Sequence, residues 1–155
     1  KEAITLPPSC KIELYWQAMP GEKQEDVDRE FAAWLDALVE ERRELFSIKP
    51  EIEFPIRWLP GSAIKDQHEL VTGLAQTYAR VTGQAPSIRG IGGPCDMFVF
   101  HQHFGTPAVL FGPIGGNTHA PDEWVDLDST LLTSSILTRF VCSWCGIDWE
   151  RTSLV

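Results

Sequence analysis

The sequence predicts a mixed α/β chain built in two parts. Two observations carry this: period-2 alternation on either side of a long amphipathic stretch, and, after residue 60, short apolar runs interleaved with helical patterns. The first part reads as an α+β, two-layer β-α-β unit. The second reads as α/β, with helices packed on a mostly parallel sheet that is incomplete in this chain.

Ile12, Leu14 and Trp16 alternate with Lys11, Glu13 and Tyr15, as in a strand with one buried face, and Pro20-Gly21 ends that run. From Glu22 to about Phe46, the residues Val27, Phe31, Trp34, Leu35, Leu38 and Leu45 fall at helical spacing. Acids (Glu25, Asp26, Asp28, Glu30) crowd the start of that stretch and Arg42 and Arg43 its end, the polarity a helix dipole favours. Ile52, Phe54, Ile56 and Trp58 alternate again, and Pro55 marks the run as an edge strand.

Pro60-Gly61-Ser62 is the expected boundary, dividing the chain into residues 1–60 and 61–155. Beyond it, Asp66 and Glu69 have capping-box spacing ahead of Leu70, Leu74, Tyr78 and Val81, with Gly83 as the C-cap and Pro86 after it. Short strands are expected at Ser87–Arg89 and Ala108–Phe111, and a helix at Asp96–His103. Asp128 or Ser129 opens a last helix with Leu132, Ile136, Leu137, Phe140, Val141 and Trp144 turned inward. Three helices against two short strands are too many for that sheet to cover, so the remaining strands are expected on sequence outside this chain. The chain opens on Lys, not Met, which likewise leads us to expect a piece of a longer protein.

Composition narrows the function. The 155 residues are 43% hydrophobic and 23% charged, with six Trp and eight Phe, enough apolar material for a core. A net charge of −9 argues against nucleic acid or an anionic membrane as partner, since phosphates need a basic surface. No apolar run approaches the roughly 18 residues of a membrane span. The four cysteines are too scattered for a disulfide framework, which suits the reduced cytoplasm. Cys142 and Cys145 form one CxxC, half of a zinc set. It lies where a helical pattern ends, whereas a redox motif opens a helix.

The informative stretch is Gly112–Asp128, GPIGGNTHAPDEWVDLD, at the carboxyl end of an apolar run, where open α/β sheets place ligand sites. Gly115 and Gly116 would let the backbone turn and approach a ligand closely. His119 is a candidate zinc ligand, with Asp122 and Glu123 near enough in sequence to orient its ring. The plain alternatives are a surface histidine and two turn-forming acids. A second glycine turn, Gly90–Asp96 (GIGGPCD), could present backbone N–H groups to an anion, and Asp96 reads as a helix N-cap. His101 and His103 would splay apart on a helix and read as exposed surface. His68 carries no role of its own.

With these motifs the chain resembles the C-terminal part of the zinc-dependent amidohydrolases that include acetylornithine deacetylase, succinyl-diaminopimelate desuccinylase and aminoacylase. The matching landmarks run in order over nearly the whole chain. They are a Pro-rich entry with Cys10, the turn Ala18-Met19-Pro20-Gly21-Glu22, the turn Gly92-Gly93-Pro94-Cys95-Asp96, and Gly112-Pro113 followed by His119-Ala120-Pro121-Asp122-Glu123-Trp124-Val125.

The resemblance implies a two-zinc catalytic domain with an inserted lid, or dimerisation, domain. Residues 1 to about 60 would be the second part of the lid, and 61–155 the end of the catalytic domain. His119 would be the last zinc ligand, Gly92 and Gly93 would lie near the substrate carboxylate, and Asn117 would contact substrate. Two zinc ions per complete domain, an N-acyl amino acid substrate and a homodimer through the lid are implied as well. The other ligands and the glutamate general base would lie in an absent N-terminal half, so the isolated chain is expected to be inactive and to self-associate. Three departures touch substrate recognition: Gln17 stands where many members have Arg, Pro94 where Thr is common, and Gly115 where desuccinylases have Asn, with Asn117 two residues on. Two other readings remain: a non-enzymatic binding or dimerisation module of the same ancestry, and a small redox protein built on Cys142 and Cys145.

Overall fold

The structure is a computed structural model and describes residues 9–147. Among the described residues three α-helices, one π-helical turn and one short antiparallel ladder place the chain in the α+β class. It divides into two compact units, Lys1–Gly61 and Ser62–Val155.

The first unit contains α1, Gln24–Glu41. Val27, Phe31, Leu35 and Leu38 share one half-buried stripe, and Glu25 and Asp26 sit in the first turn beside the unpaired N–H groups. Its N-cap, Lys23, has extended backbone but makes no side-chain bond to the helix. The helix ends before the expected Phe46, in a turn closed by Leu45 N–H donating to the Arg42 carbonyl (2.8 Å). Pro20-Gly21 does make a turn. Gly21 has φ +93°, and Glu22 Oε2 accepts the Met19 N–H at 2.6 Å.

The two strands expected at residues 12–16 and 52–58 are corrected. Neither segment joins a ladder among the described residues, and Pro20 and Gly61 form a parallel bridge instead. Alternation prepares a segment to be a strand, but the ladder needs a neighbour to receive its N–H and C=O groups. Without one, Ile12, Leu14, Tyr15 and Trp16 are all exposed, on both sides of the chain. Trp16 keeps an edge contact with Phe31 (6.1 Å between centroids), which stacks on Trp34 at 5.5 Å.

In the second unit α2 (Glu69–Thr82) packs on α3 (Leu127–Trp144), and the core lies between them and beside the turn at Phe98. Val71, Leu74, Phe98 and Ile136 are buried, with Thr77 and Ser129 as buried polar groups. Gly73 allows close packing, since a Cβ there would stand 3.2 Å from the Phe140 ring. The expected C-cap at Gly83 is present, with φ +73° and its N–H on the Ala79 carbonyl.

The N-caps differ from expectation. His68 caps α2, its Nδ1 accepting from Leu70 N–H (3.1 Å), in place of an Asp66 capping box. Asp126, not Asp128 or Ser129, caps α3. The face of α3 expected inward is covered mainly at Ile136, while Val141 and Trp144 are about half exposed.

The expected helix over 96–103 is present as a short helical segment, with residues 97–98 α-helical and Val99–His103 π-helical. Ser87–Arg89 and Ala108–Phe111 run without ladder partners among the described residues. The sheet present is antiparallel, not parallel: β1 (Gly115–Gly116) pairs with β2 (Trp124–Val125), Gly115 opposite Val125 and Gly116 opposite Trp124. Among the described residues no helix is long and apolar enough to cross a membrane.

Candidate functional site: the histidine hairpin

β1 and β2 hold a seven-residue loop, 117–123, and His119 stands at its tip. The glycines of β1 admit the partner strand at close range. A Cβ on Gly115 would lie 2.8 Å from the Trp124 carbonyl oxygen, and one on Gly116 would lie 2.7 Å from the Trp124 indole nitrogen. The loop bends through three left-handed, non-glycine residues: Asn117 (φ +56°), His119 (φ +64°) and Asp122 (φ +59°). Asn, Asp and His are among the side chains found more often in this region, which suits the sequence to the turn.

Asn117 clasps the loop. Its carbonyl accepts Ala120 N–H at 2.8 Å, and its Nδ2 donates to the Asp122 carbonyl at 3.3 Å. His119 is exposed, and its ring has no hydrogen-bond partner among the described residues. Neither Asp122 nor Glu123, both exposed, comes within ion-pair reach of it. The local arrangement is thus an outward imidazole on a closed loop.

The root of the hairpin is a network that motif reading missed. Asp126 N–H donates to the Ile114 carbonyl (2.8 Å), while Ile114 N–H donates to Ser129 Oγ (2.9 Å). Ser129 Oγ donates in turn to the Asp126 carbonyl (2.8 Å), and Ser129 N–H donates to Asp126 Oδ1 (2.6 Å). Asp126-Leu127-Asp128-Ser129 has capping-box spacing with Ser in place of Glu or Gln, the one signal that could have revealed it.

Gly92 and Gly93 lie in a bend ahead of Asp96, and a Cβ on either would meet nothing within 4 Å. Asp96 meets the next turn through its carbonyl, which accepts Val99 N–H at 3.0 Å.

The paired reading of His101 and His103 as surface needs correction for His101. It is half-buried, Nδ1 lies 2.6 Å from Ser62 Oγ, and Nε2 accepts Ala108 N–H at 2.8 Å. The two ring nitrogens thus face Ser62 on one side and the Ala108 backbone on the other. His101 therefore ties three segments of the unit together. His103 stays exposed, 6.4 Å edge-on from Phe98.

Among the described residues no three or more His, Cys, Asp or Glu side chains gather as a metal site. The donors present do not by themselves fit a two-zinc centre, since one imidazole leaves most of a zinc coordination sphere unfilled. Cys10, Cys95, Cys142 and Cys145 are all free thiols. Cys142 lies in the last turn of α3 and Cys145 is its C-cap, not the helix opening a redox motif would need.

No protein-family model matches the chain, and no solved structure matches it. An acetylornithine deacetylase of Myxococcus xanthus is 26% identical over 152 residues, which cover 94% of this chain and 36% of that protein. The chain thus spans little more than a third of the curated relative it matches, and the similarity supports a distant relationship to acetylornithine deacetylase.

Proposed function

We propose that this chain is the C-terminal part of a zinc-dependent amidohydrolase that removes an acyl group from N-acyl amino acids. The observation carrying the reading is His119. The chain is similar to a deacetylase over almost all its length, and its Gly-rich motif folds into a closed loop with an unengaged imidazole outward. A neutral imidazole in that position suits a metal ligand.

In this reading residues 61–155 end the catalytic domain and 1–60 are the second part of a lid that pairs two subunits. The bend at Gly92 and Gly93 receives the substrate carboxylate. Asn117, whose Nδ2 is engaged by Asp122, offers Oδ1 to a substrate donor. The two zinc ions would polarise the amide carbonyl and activate water. The described residues provide one imidazole toward that centre, so hydrolysis belongs to the whole protein and this chain alone is inactive.

The test has two arms. Calorimetric titration of zinc into the 155-residue chain near neutral pH should show weak or no binding, equally in His119→Ala. Tight binding lost on that substitution would mean that the chain completes its own site. In the whole protein, His119→Ala should lower deacylation of an N-acetylated amino acid about 100-fold or more. Unchanged hydrolysis would overturn the reading. A non-enzymatic module of the same ancestry is the second reading. It predicts no deacylation by the whole protein.

A further inference from the structure

The geometry points to Ser129 as a positioning residue that fixes where the hairpin presents His119, an inference that rests on the function proposed for His119. Ser129 is buried at 8% exposure, ten residues beyond His119 and on another element. Its hydroxyl is engaged in both directions, accepting Ile114 N–H and donating to the Asp126 carbonyl. Ile114 is the residue before β1, and Asp126 the residue after β2. One hydroxyl therefore holds both stems of the hairpin on the first turn of α3.

The arrangement is a capping box with its return bond rerouted. In the ordinary form a Glu or Gln at the third helical position reaches back to the N–H of the cap. Ser129 occupies that position but is too short to do so. The Ile114 carbonyl takes the Asp126 N–H instead, and Ser129 receives the N–H that Ile114 brings. The hairpin thereby becomes part of the helix cap. Tilting of the loop that carries His119 then requires breaking bonds to α3, and the ring stays in place between turnovers.

Loss of the hydroxyl leaves Ile114 N–H without its acceptor in a part-buried position and frees one stem. In the whole protein, Ser129→Ala should lower kcat about 10-fold with KM changed less than about twofold, the size seen when a group orienting a functional side chain is removed. Ser129→Thr, which retains the hydroxyl, should restore kcat. By hydrogen exchange, the Ile114 and Asp126 amides should open faster in Ser129→Ala while those of α2 keep their rates. Normal kcat in Ser129→Ala beside an inactive His119→Ala would overturn the positioning role alone. Failure of Thr to rescue, or equal loosening of α2, would reduce Ser129 to general stability and overturn it too. An active His119→Ala would sink the proposed function, and the role of Ser129 with it.

Discussion

Helices α1 and α3 are both 18 residues long and amphipathic, yet α1 buries no residue while α3, which packs on α2, buries Ser129 and Ile136. The difference lies in what each unit supplies as a second layer. In Ser62–Val155 that layer is another helix, delivered by the same stretch of chain. In Lys1–Gly61 the alternating segments on either side of α1 carry the right side chains but do not pair among the described residues, and a single bridge joins Pro20 and Gly61 beyond their ends. A stripe at helical spacing becomes core only where the chain brings something to cover it.

The sharpest way to break this comparison is to truncate one residue in each stripe. Ile136, 1% exposed, should cost about 3 kcal/mol when changed to Ala, the middle of the range for a buried aliphatic side chain. Phe31, half-buried between Trp16 and Trp34, should cost about 1 kcal/mol, mostly its aromatic contacts. Region-resolved hydrogen exchange reads both, α2 and α3 reporting the first substitution and α1 the second. Equal losses would show that the first unit holds a core of its own.

A smaller effect compares the pairings. Gly115→Ala drives a Cβ toward the Trp124 carbonyl, a backbone atom that cannot move without opening the ladder, and should cost about 2 kcal/mol. Gly116→Ala meets only the Trp124 indole, which is half exposed and free to swing, so its cost should stay below about 1 kcal/mol. Gly61→Ala in the first unit also strikes backbone, 2.5 Å from the Met19 carbonyl carbon and Pro20 nitrogen. With one bridge to lose there, about 1 kcal/mol is expected. A loss as large as that at Gly115 would mean that the bridge organises the whole unit. Thermal unfolding of the three variants orders them.

Helices were legible and strands were not, for a physical reason visible at particular residues. The α1 and α2 stripes, the turn at Pro20-Gly21 and the αL residue at Gly83 depend on neighbours within a few positions, which the sequence states directly. Ile12–Trp16 and Ala108–Phe111 have strand-like patterns, but pairing depends on a distant partner that no local pattern reports. His119 was found because glycines and acids surround it. Ser129 reads in sequence as a candidate N-cap, and its hold on the hairpin is invisible there because the cap is Asp126 and Ser129 stands at the third helical position. Its meaning comes from Ile114, fifteen residues earlier. His101 was misread for the same reason, since Ser62 and Ala108 define its role.

The smallest effect concerns the caps, and it tests whether α1 is limited by its own start or by its missing cover. Asp126 gives α3 a full cap, with Oδ1 on Ser129 N–H at 2.6 Å, and Asp126→Ala should destabilise α3 by about 1 kcal/mol. Lys23 occupies the same position on α1 with backbone already suited to a cap (φ −107°, ψ 145°) but a side chain that cannot accept. Lys23→Ser supplies an acceptor for an N–H of the first turn and removes a positive charge from the positive end of the helix. It should therefore stabilise α1 by about 0.5–1 kcal/mol, read as slower exchange of its first-turn amides. Slower exchange confined to residues 24–28 fits a helix whose cap was weak. If protection spreads along the whole of α1, the start had been limiting and cover matters less than the comparison with α3 implies. If nothing slows, cooperative loss of the uncovered helix outruns any gain at its end, and only a second layer will hold it.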